Sequence, residues 1–345
     1  TRTTAISEGS KQFLNEIGVW KKISKFAQPI TNIDVIDRKK INKINFFNMN
    51  HQGNLGYIVK NSKLIQILKS ELIKKKNVYL FDQSTLININ YKSDKIEGLF
   101  ANKKVLSKLL IAADGKNSSV RNILKTPFYK KKYTENALVL NFFHSKNHKN
   151  TAFEFFYKNG PLALLPMKKE NSKFQSSMIW SNNPEFLSSL FLSKDKIIKD
   201  ILSEKISNEI GEILKINSKQ IFPLSSHINE RFYERKLLYV GDSAHSMHPI
   251  AGQGWNLGLR DIKNLYHLAE KINLLGLSIG SERFCLDYNE SCFYDAYRLY
   301  QVTDKLNWAF KKDSFFMNNF RSFGFSIIDK NNYLKKIITN FAMGF

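Results

Sequence analysis

Apolar positions along the chain change period several times, and each change marks an element. Phe13, Leu14 and Ile17 share one helical face, so TRTTAISEGSKQFLNEIGVW reads as a loop leading into a short helix that Gly18 ends. Alternation around Ile33 and Val35 predicts strand within 30–47. Leu64, Ile67, Leu68 and Leu72 then form a stripe at helical spacing, and Asn61 or Ser62 suits the cap before it. Short strands are expected at 78–81, at 86–89 and near 98–100. The run Leu109, Leu110, Ile111, Ala112, Ala113 ends in Asp114 and Gly115. An unbroken apolar run of that length predicts a strand covered on both faces, as in a parallel sheet.

From about 136 to 180 the pattern turns to longer, aromatic-rich strands, with a turn at Asn159, Gly160 and Pro161. This predicts an antiparallel sheet. Residues 183–214 read as helical. Lys236 to Val240 is a second buried strand that runs straight into Gly241 and Asp242, and helices are expected over 256–272, over 281–310 and through the last 35 residues. The two buried strands are far apart in sequence but belong to one expected nucleotide-binding sheet. The predicted class is therefore mixed α/β (α+β): a Rossmann-like nucleotide-binding domain with an inserted antiparallel substrate domain and C-terminal helices. Its parts fall at 1–135 and 236–310 for the nucleotide-binding domain, 136–235 for the substrate domain and 311–345 for the C-terminal segment.

Composition narrows this picture only at the edges. With 345 residues, 43% hydrophobic and 13% aromatic, the chain can bury a substantial core. The net charge of +23 invites an anionic partner, but the lysines are scattered, and a solvated basic surface explains them without one. Cys285 and Cys292 lie two helical turns apart, which is neither a metal pattern nor a disulfide distance, and fits a reducing compartment. No run of about 18 apolar residues predicts a membrane span. Position 1 is Thr, which reads as a chain whose start is missing or processed.

The candidate chemistry sits in LLYVGDSAHSMHPIAGQGWNLGLRDI. A buried strand delivers Asp242 at its carboxyl end, where α/β sheets bind ligands. Pro249 stiffens the following loop, and Gly252, Gly254 and Gly258 let a flat ligand approach the backbone. A helix start near Gly254 and Asn256 offers free N–H groups and a positive dipole end to an anion or to a ring that gains negative charge. Asp242 can accept hydrogen bonds from sugar-like hydroxyls. Glycines placed for packing alone are the plainer alternative, but the loop is long and carries Asp, Gly and Asn at fixed offsets. His245 and His248, three apart, are a weak metal pair, and no metal is expected.

The stretch GDSAHSMHPIAGQGWNLGLRD resembles the second FAD signature of the class A flavin monooxygenases, most closely the ubiquinone-biosynthesis hydroxylase branch. Ser243 and Trp255 stand where Ala and a smaller apolar residue are common. ADGKNSSVR, residues 113–121, resembles the family's internal ADGxxSxVR motif near the pyrophosphate and the nicotinamide donor. A simple Asp-Gly turn with Ser118 as helix cap is the alternative for this second motif taken alone. Arg2 within RTTAI, the GPLALLP segment at 160–166, and Phe222, Pro223, Leu224 also match. The resemblance implies cofactor contacts at Arg2, Asp114, Gly115, Gly241, Asp242, Pro249, Ala251, Gly252, Gln253, Gly254 and Asn256, and gives no catalytic residue. The family's opening βαβ unit with GxGxxG is not found, so the chain is read as an N-terminally incomplete member that would hold FAD weakly alone.

The resemblance implies an FAD-dependent hydroxylase using NAD(P)H and O2 on an aromatic ring, with a polyprenylated phenol of ubiquinone biosynthesis as substrate. Implied partners are that substrate, other proteins of the pathway and a membrane surface, which Trp308, Phe310, Phe315, Phe316, Phe320 and Phe323 among basic residues would contact. The implied location is cytoplasmic and peripheral on the inner membrane, or the mitochondrial matrix in a eukaryote. The alternatives are a hydroxylase of a soluble aromatic acid, an inactive fragment, and a basic nucleic-acid-binding protein. The last has charge in its favour and no RNA- or DNA-binding motif.

Overall fold

The structure is a computed structural model that describes residues 2–37, 42–48, 53–249, 252–311 and 324–344. Its strands are β1 (Thr3–Ser7), β2 (Gln28–Ile30), β3 (Asn32–Asp37), β4 (Asn42–Phe47), β5 (Gly56–Lys60), β6 (Leu86–Tyr91), β7 (Ile96–Phe100), β8 (Lys103–Ser107), β9 (Leu110–Ala112), β10 (Phe128–His144), β11 (Thr151–Tyr157), β12 (Gly160–Glu170), β13 (Lys173–Asn182), β14 (Ile213–Asn229), β15 (Tyr233–Glu234), β16 (Leu237–Tyr239) and β17 (His245–Ser246). The helices used below are α1 (Glu8–Glu16), α2 (Trp20–Ile23), α3 (Asn61–Ile73), α4 (Ser119–Leu124), α5 (Pro184–Leu192), α6 (Asp195–Ile210), α7 (Gly254–Leu274) and α8 (Glu282–Lys311), with a final helix at Asn332–Met343.

The largest sheet has eight strands in the order β17-β14-β10-β13-β12-β11-β3-β4. It is antiparallel except where β3 lies parallel to β11, with Val35 opposite Glu154. The sheet therefore draws on residues 32–47 as well as on the 136–235 stretch. Period-2 alternation marks a strand but not its neighbour, so this pairing is not readable locally. One face carries Leu138, Leu140, Phe142, Phe155, Leu162, Leu164, Met178 and Trp180, all at most 2% exposed. α5 and α6 cover it. Ile198, Leu202, Ile206 and Ile210 form a single buried stripe on α6, each side chain contributing about 1.5–3 kcal/mol by leaving water. The expected continuous helix over 183–214 is two helices. Asn183 caps the first, and the second stops at Gly211, where φ is +74° and a Cβ would lie 2.3 Å from Ser145 Oγ. Beyond it Ile213 already pairs with β10.

The nucleotide-type sheet has the order β15-β16-β9. β16 and β9 are parallel, with Leu237 opposite Leu110 and Tyr239 opposite Ala112, which joins the two distant apolar runs as expected. Leu237, Leu238 and Tyr239 are completely buried. β9 departs from the expectation, because Ile111 is 48% exposed. Among the described residues β9 has a neighbour on one edge only, so the apolar run is half covered. The expected strand at 78–81 is likewise unpaired: Tyr79 is 78% and Phe81 62% exposed. An apolar run without a neighbouring strand has no ladder to complete.

A third sheet, β1-β5-β2, sits beside α1 and α3. Residues Thr3–Ser7 are strand rather than the expected loop, because β5 supplies an antiparallel partner distant in sequence. Asn61 does not cap α3; it is the first helical residue, and its Oδ1 accepts a hydrogen bond from Thr4 Oγ1 at 2.6 Å. β6-β7-β8 form a small antiparallel sheet. α7 and α8 close the core over β16, where Tyr288 Oη donates to Tyr239 O at 2.8 Å. Cys285 and Cys292 are free and buried there. No helix among the described residues is long and apolar enough to cross a membrane. Trp308 is half exposed, while the side chain of Phe310 and residues Phe315, Phe316, Phe320 and Phe323 lie outside the described part.

Candidate functional site

The site begins where β16 ends. The chain leaves the buried strand through Val240 into a single 3-10 turn, Gly241–Ser243. Gly241 has φ +60°, and a Cβ on Gly258 of α7 would come within 3.1 Å of Gly241 Cα. Bare backbone on both sides lets the helix approach the turn. Asp261, one turn further along α7, fixes this approach. Its Oδ2 accepts from Gly241 N at 2.9 Å and lies 2.7 Å from His245 Nε2. Both side chains are shut off from water. The Ser243 hydroxyl donates to Ala112 O at 2.5 Å, which ties the turn to the end of β9.

Asp242 points away from these contacts. It is exposed and makes no hydrogen bond among the described residues, yet surrounding protein raises its carboxyl pKa, against the pull of His245, Lys116 and Arg2. A carboxylate that water reaches while protein crowds it lines a cleft. Arg2 enters from the start of β1, with its guanidinium 4.8 Å from the centre of the Phe222 ring. Lys116 enters from the Asp-Gly corner, where its Nζ donates to Ser225 O at 2.7 Å. One anion and two cations from three distant segments thus share the cleft.

The Asp-Gly corner has a more structural character than its motif implies. Gly115 has φ +83° and supplies the turn. Asp114 Oδ2 accepts from Ser119 Oγ at 3.0 Å and from Val120 N at 3.2 Å, at the start of α4. Burial alone would raise its carboxyl, but these bonds, with one from Ser118, outweigh burial and hold it below the ordinary value. Ser118 caps the same helix by accepting from Arg121 N at 3.0 Å.

The motif contains Arg121 without giving it a role, and the structure supplies one. Arg121 is 5% exposed and joins the two corners. Its Nη1 donates to Ser243 O at 3.0 Å and sits 2.9 Å from His227 Nε2, while Nη2 donates to Lys116 O at 2.6 Å. Burial, reinforced by the Arg121 charge, pushes His227 down to about 3. The imidazole is therefore neutral at physiological pH and accepts from the guanidinium at Nε2. A charged residue inside the ADGxxSxVR pattern is the one signal the sequence carries for it; its partner on β14 is not readable there.

The glycine-rich loop packs on β1. Gly252 N donates to Pro249 O at 3.1 Å, and Gly252 has φ +61° with its Cβ position 3.4 Å from Ala5 Cβ. Gln253 Nε2 donates to Ala342 O of the final helix at 3.0 Å. A Cβ on Gly254 would meet nothing within 4 Å, and no side chain caps α7 there. Asn256 uses its whole amide inside the protein: Oδ1 accepts from Ser7 N at 2.8 Å and Nδ2 donates to Ala5 O at 2.9 Å. Its side chain sets the loop's position, and only its backbone is left for a ligand. Ala251 lies outside the described residues. The two histidines do not form a metal pair, since His245 is held by Asp261 and the His248 ring packs edge-on against Tyr133 at 4.7 Å. Among the described residues no cluster of metal-ligating side chains occurs.

These residues fit a flavin dinucleotide. Asp242 is an accessible acceptor without a partner among the described residues, suited to ribityl or ribose hydroxyls. Arg2 and Lys116 suit phosphate charge. The uncapped start of α7 and the bare backbone at Gly252 and Gly254 suit a flat ring that becomes anionic. Comparison with known proteins agrees. The profile of the FAD binding domain family matches residues 1–275. The chain is 27% identical to ubiquinone hydroxylase UbiL of Rhodospirillum rubrum over 99% of its own length and 79% of that protein. It is 24% identical to the Escherichia coli 3-demethoxyubiquinol 3-hydroxylase, covering 99% of this chain and 87% of the relative. Among solved structures, p-nitrophenol 4-monooxygenase PnpA from Pseudomonas putida superimposes with a TM-score of 0.76 at 15% identity, over 99% of this chain and 88% of the other. HpxO of Klebsiella pneumoniae, complexed with FAD and uric acid, gives 0.73 at 14% identity over 100% and 87%. A turn that bares Asp242 beside two cations, a glycine-lined helix start and the family match lead to one conclusion: the chain belongs to the FAD binding domain family and has the fold of the flavin-dependent monooxygenases.

Proposed function

We propose that this flavin-dependent monooxygenase hydroxylates the ring of a prenylated phenol in ubiquinone biosynthesis, with NAD(P)H as electron donor and O2 as oxygen source. The observation that carries the reading is the pairing of the Asp242 turn with the glycine-lined start of α7, against β1, whose Ala5 packs in one cluster with the half-buried Leu165 of the large sheet. The pathway reading rests on the relatives, among them ubiquinone hydroxylase UbiL and the 3-demethoxyubiquinol 3-hydroxylase.

FAD, once bound and reduced, supplies the activation of O2 and the transfer of one oxygen atom. The chain's own residues do the rest. Asp242 accepts hydrogen bonds from the cofactor's hydroxyls, and Arg2 and Lys116 offset phosphate charge. The α7 start stabilises negative charge on the reduced ring with dipoles that need no reorganisation. Ala163, Leu165 and Ile179 give the cleft an apolar wall that keeps water from the reacting centre. A prenyl tail places the substrate in or near a lipid surface. Attachment to the cytoplasmic side of a membrane, helped by the +23 charge, and contact with other enzymes of the pathway belong to the same proposal.

The test compares two phenols under otherwise identical conditions with FAD and NADPH: a 2-prenylphenol and the soluble acid 4-hydroxybenzoate. Formation of the dihydroxylated prenyl product, with 4-hydroxybenzoate left unchanged, is expected. The reverse preference would overturn the prenyl-substrate reading and leave a soluble aromatic acid as substrate.

A further inference from the structure

The two faces of the eight-stranded sheet are unlike. One is sealed under α5 and α6. On the other, Val35, Glu154, Ala163 and Ile179 lie side by side on adjacent strands, and all four remain half-buried. Flanking rows on this face lead to the cofactor loop. Ala152 and Leu165 pack into the cluster that contains Ile58 and Met343 and touches Ala5, the residue that meets Gly252. On the other flank Phe222 lies beneath Arg2, which also acts on Asp242. Glu154 therefore occupies the middle of the sheet wall that faces the flavin loop.

Its chemistry is out of place for a structural residue. Glu154 has no hydrogen-bond or ion-pair partner among the described residues. It stands between Phe153 and Phe155 in an aromatic strand, and Ala163 opposite it leaves room rather than filling the space. Burial pushes its carboxyl up to about 8, and no neighbouring charge acts on it. Asp37 is another acid on this face, but it is 1% exposed and already engaged. Other polar atoms on the face are buried without a hydrogen-bond partner among the described residues: Gln175 Oε1, Ser177 Oγ and Gln220 Oε1. Buried polar atoms left unpaired are costly, and a ligand is one explanation for them.

We propose that Glu154 is a catalytic residue that binds the substrate's phenolic hydroxyl and accepts its proton. The inference rests on the hydroxylase reading above and names the base that reading lacked. The phenol O–H bond breaks, an O–H bond forms on the carboxylate, and the electron pair stays on the phenol oxygen, where it enriches the ring for oxygen transfer. The proton returns to the product oxygen when the ring leaves. A base of this strength, set against a phenol, suits proton transfer near neutral pH.

The test uses the full chain with FAD, comparing wild type, Glu154→Gln and Glu154→Asp. Substrates are 2-prenylphenol and its methyl ether, which has no proton to give. Wild type is expected to develop phenolate absorbance on binding 2-prenylphenol and to bind the ether more weakly. Glu154→Gln is expected to lose the phenolate signal, bind phenol and ether alike, and fall roughly 100-fold in kcat/KM, with flavin content and NADPH reduction rate unchanged. Glu154→Asp is expected to recover part of the signal. In wild type the kcat/KM profile should rise through the Glu154 ionisation, and in Glu154→Gln that limb should be gone; Asp37, Arg2 and Asp242 are common to both proteins and do not account for the difference. An undiminished phenolate signal in Glu154→Gln overturns the proposal while leaving the hydroxylase reading standing. Wild type that binds neither compound overturns the hydroxylase reading itself, and the proposal with it.

Discussion

Asp261 offers the sharpest energetic test of how the turn is held. One carboxylate oxygen serves two donors, the half-buried Gly241 N at 2.9 Å and the buried His245 Nε2 at 2.7 Å. In Asp261→Ala both lose their acceptor, and the His245 ring cannot turn to water, because it is shut off from solvent. Hydrogen bonds to charged groups contribute about 1.5–3 kcal/mol each, so the expected loss is roughly 3–5 kcal/mol. Urea unfolding followed by tryptophan fluorescence measures it. With a slope of about 3 kcal/mol/M for a large chain, the midpoint should fall by about 1–1.7 M at unchanged slope. Asp261→Asn keeps one acceptor oxygen and should lose about half as much. A midpoint shift below about 0.3 M for Asp261→Ala would mean that the turn is held by something other than this carboxylate.

The same geometry sets two further outcomes. Asp242→Asn should not lower stability, since Asp242 makes no hydrogen bond among the described residues and the fold disfavours its charge, but should weaken FAD binding roughly 10- to 100-fold in a flavin fluorescence titration. Equal affinity in variant and wild type would remove Asp242 from the cofactor site. His227 is held at about 3 against an unfolded value of 6.5, so between these limits the unfolded chain takes up a proton that the folded chain does not. Its stabilising effect is complete above pH 6.5 and is lost as pH falls toward 3. His227→Gln should flatten the stability–pH curve over that window, and an unaltered curve would show that this histidine is not the acid-labile group.

Much of the cofactor side is legible in the sequence because the chain marks it twice, once by an apolar run and once by the Asp and Gly at the end of that run. Leu237, Leu238 and Tyr239 lead straight into Gly241 and Asp242, and the parallel pairing with Leu110–Ala112 realises the expected joint sheet. The features that escape a local reading are set by tertiary partners. An apolar run does not show whether a neighbour exists, so residues 78–81 and Ile111 are expected to be covered and are not. The side chain of Asn61 meets Thr4 instead of capping α3, since a bond across 57 residues is invisible to local rules. Asn256 shows the same effect within the site, because its amide is drawn to Ala5 and Ser7 of β1. Asp114 reads as a cofactor ligand from its motif, and the structure adds a local task, since its Oδ2 also accepts from the start of α4. Glu154 leaves one legible trace, a lone acid within TAFEFFY, but only the register that sets it opposite Val35 and Ala163 places it on the cleft face.

The measurement that reaches furthest is a single turnover with labelled dioxygen. The full chain is supplied with FAD, NADPH and 2-prenylphenol under an atmosphere of heavy-isotope O2, and the product is read by mass spectrometry. The account predicts a hydroxylated prenylphenol carrying one labelled oxygen atom from the gas, with one NADPH consumed for each product formed. NADPH oxidation that yields only hydrogen peroxide, with the phenol returned unchanged, would contradict it.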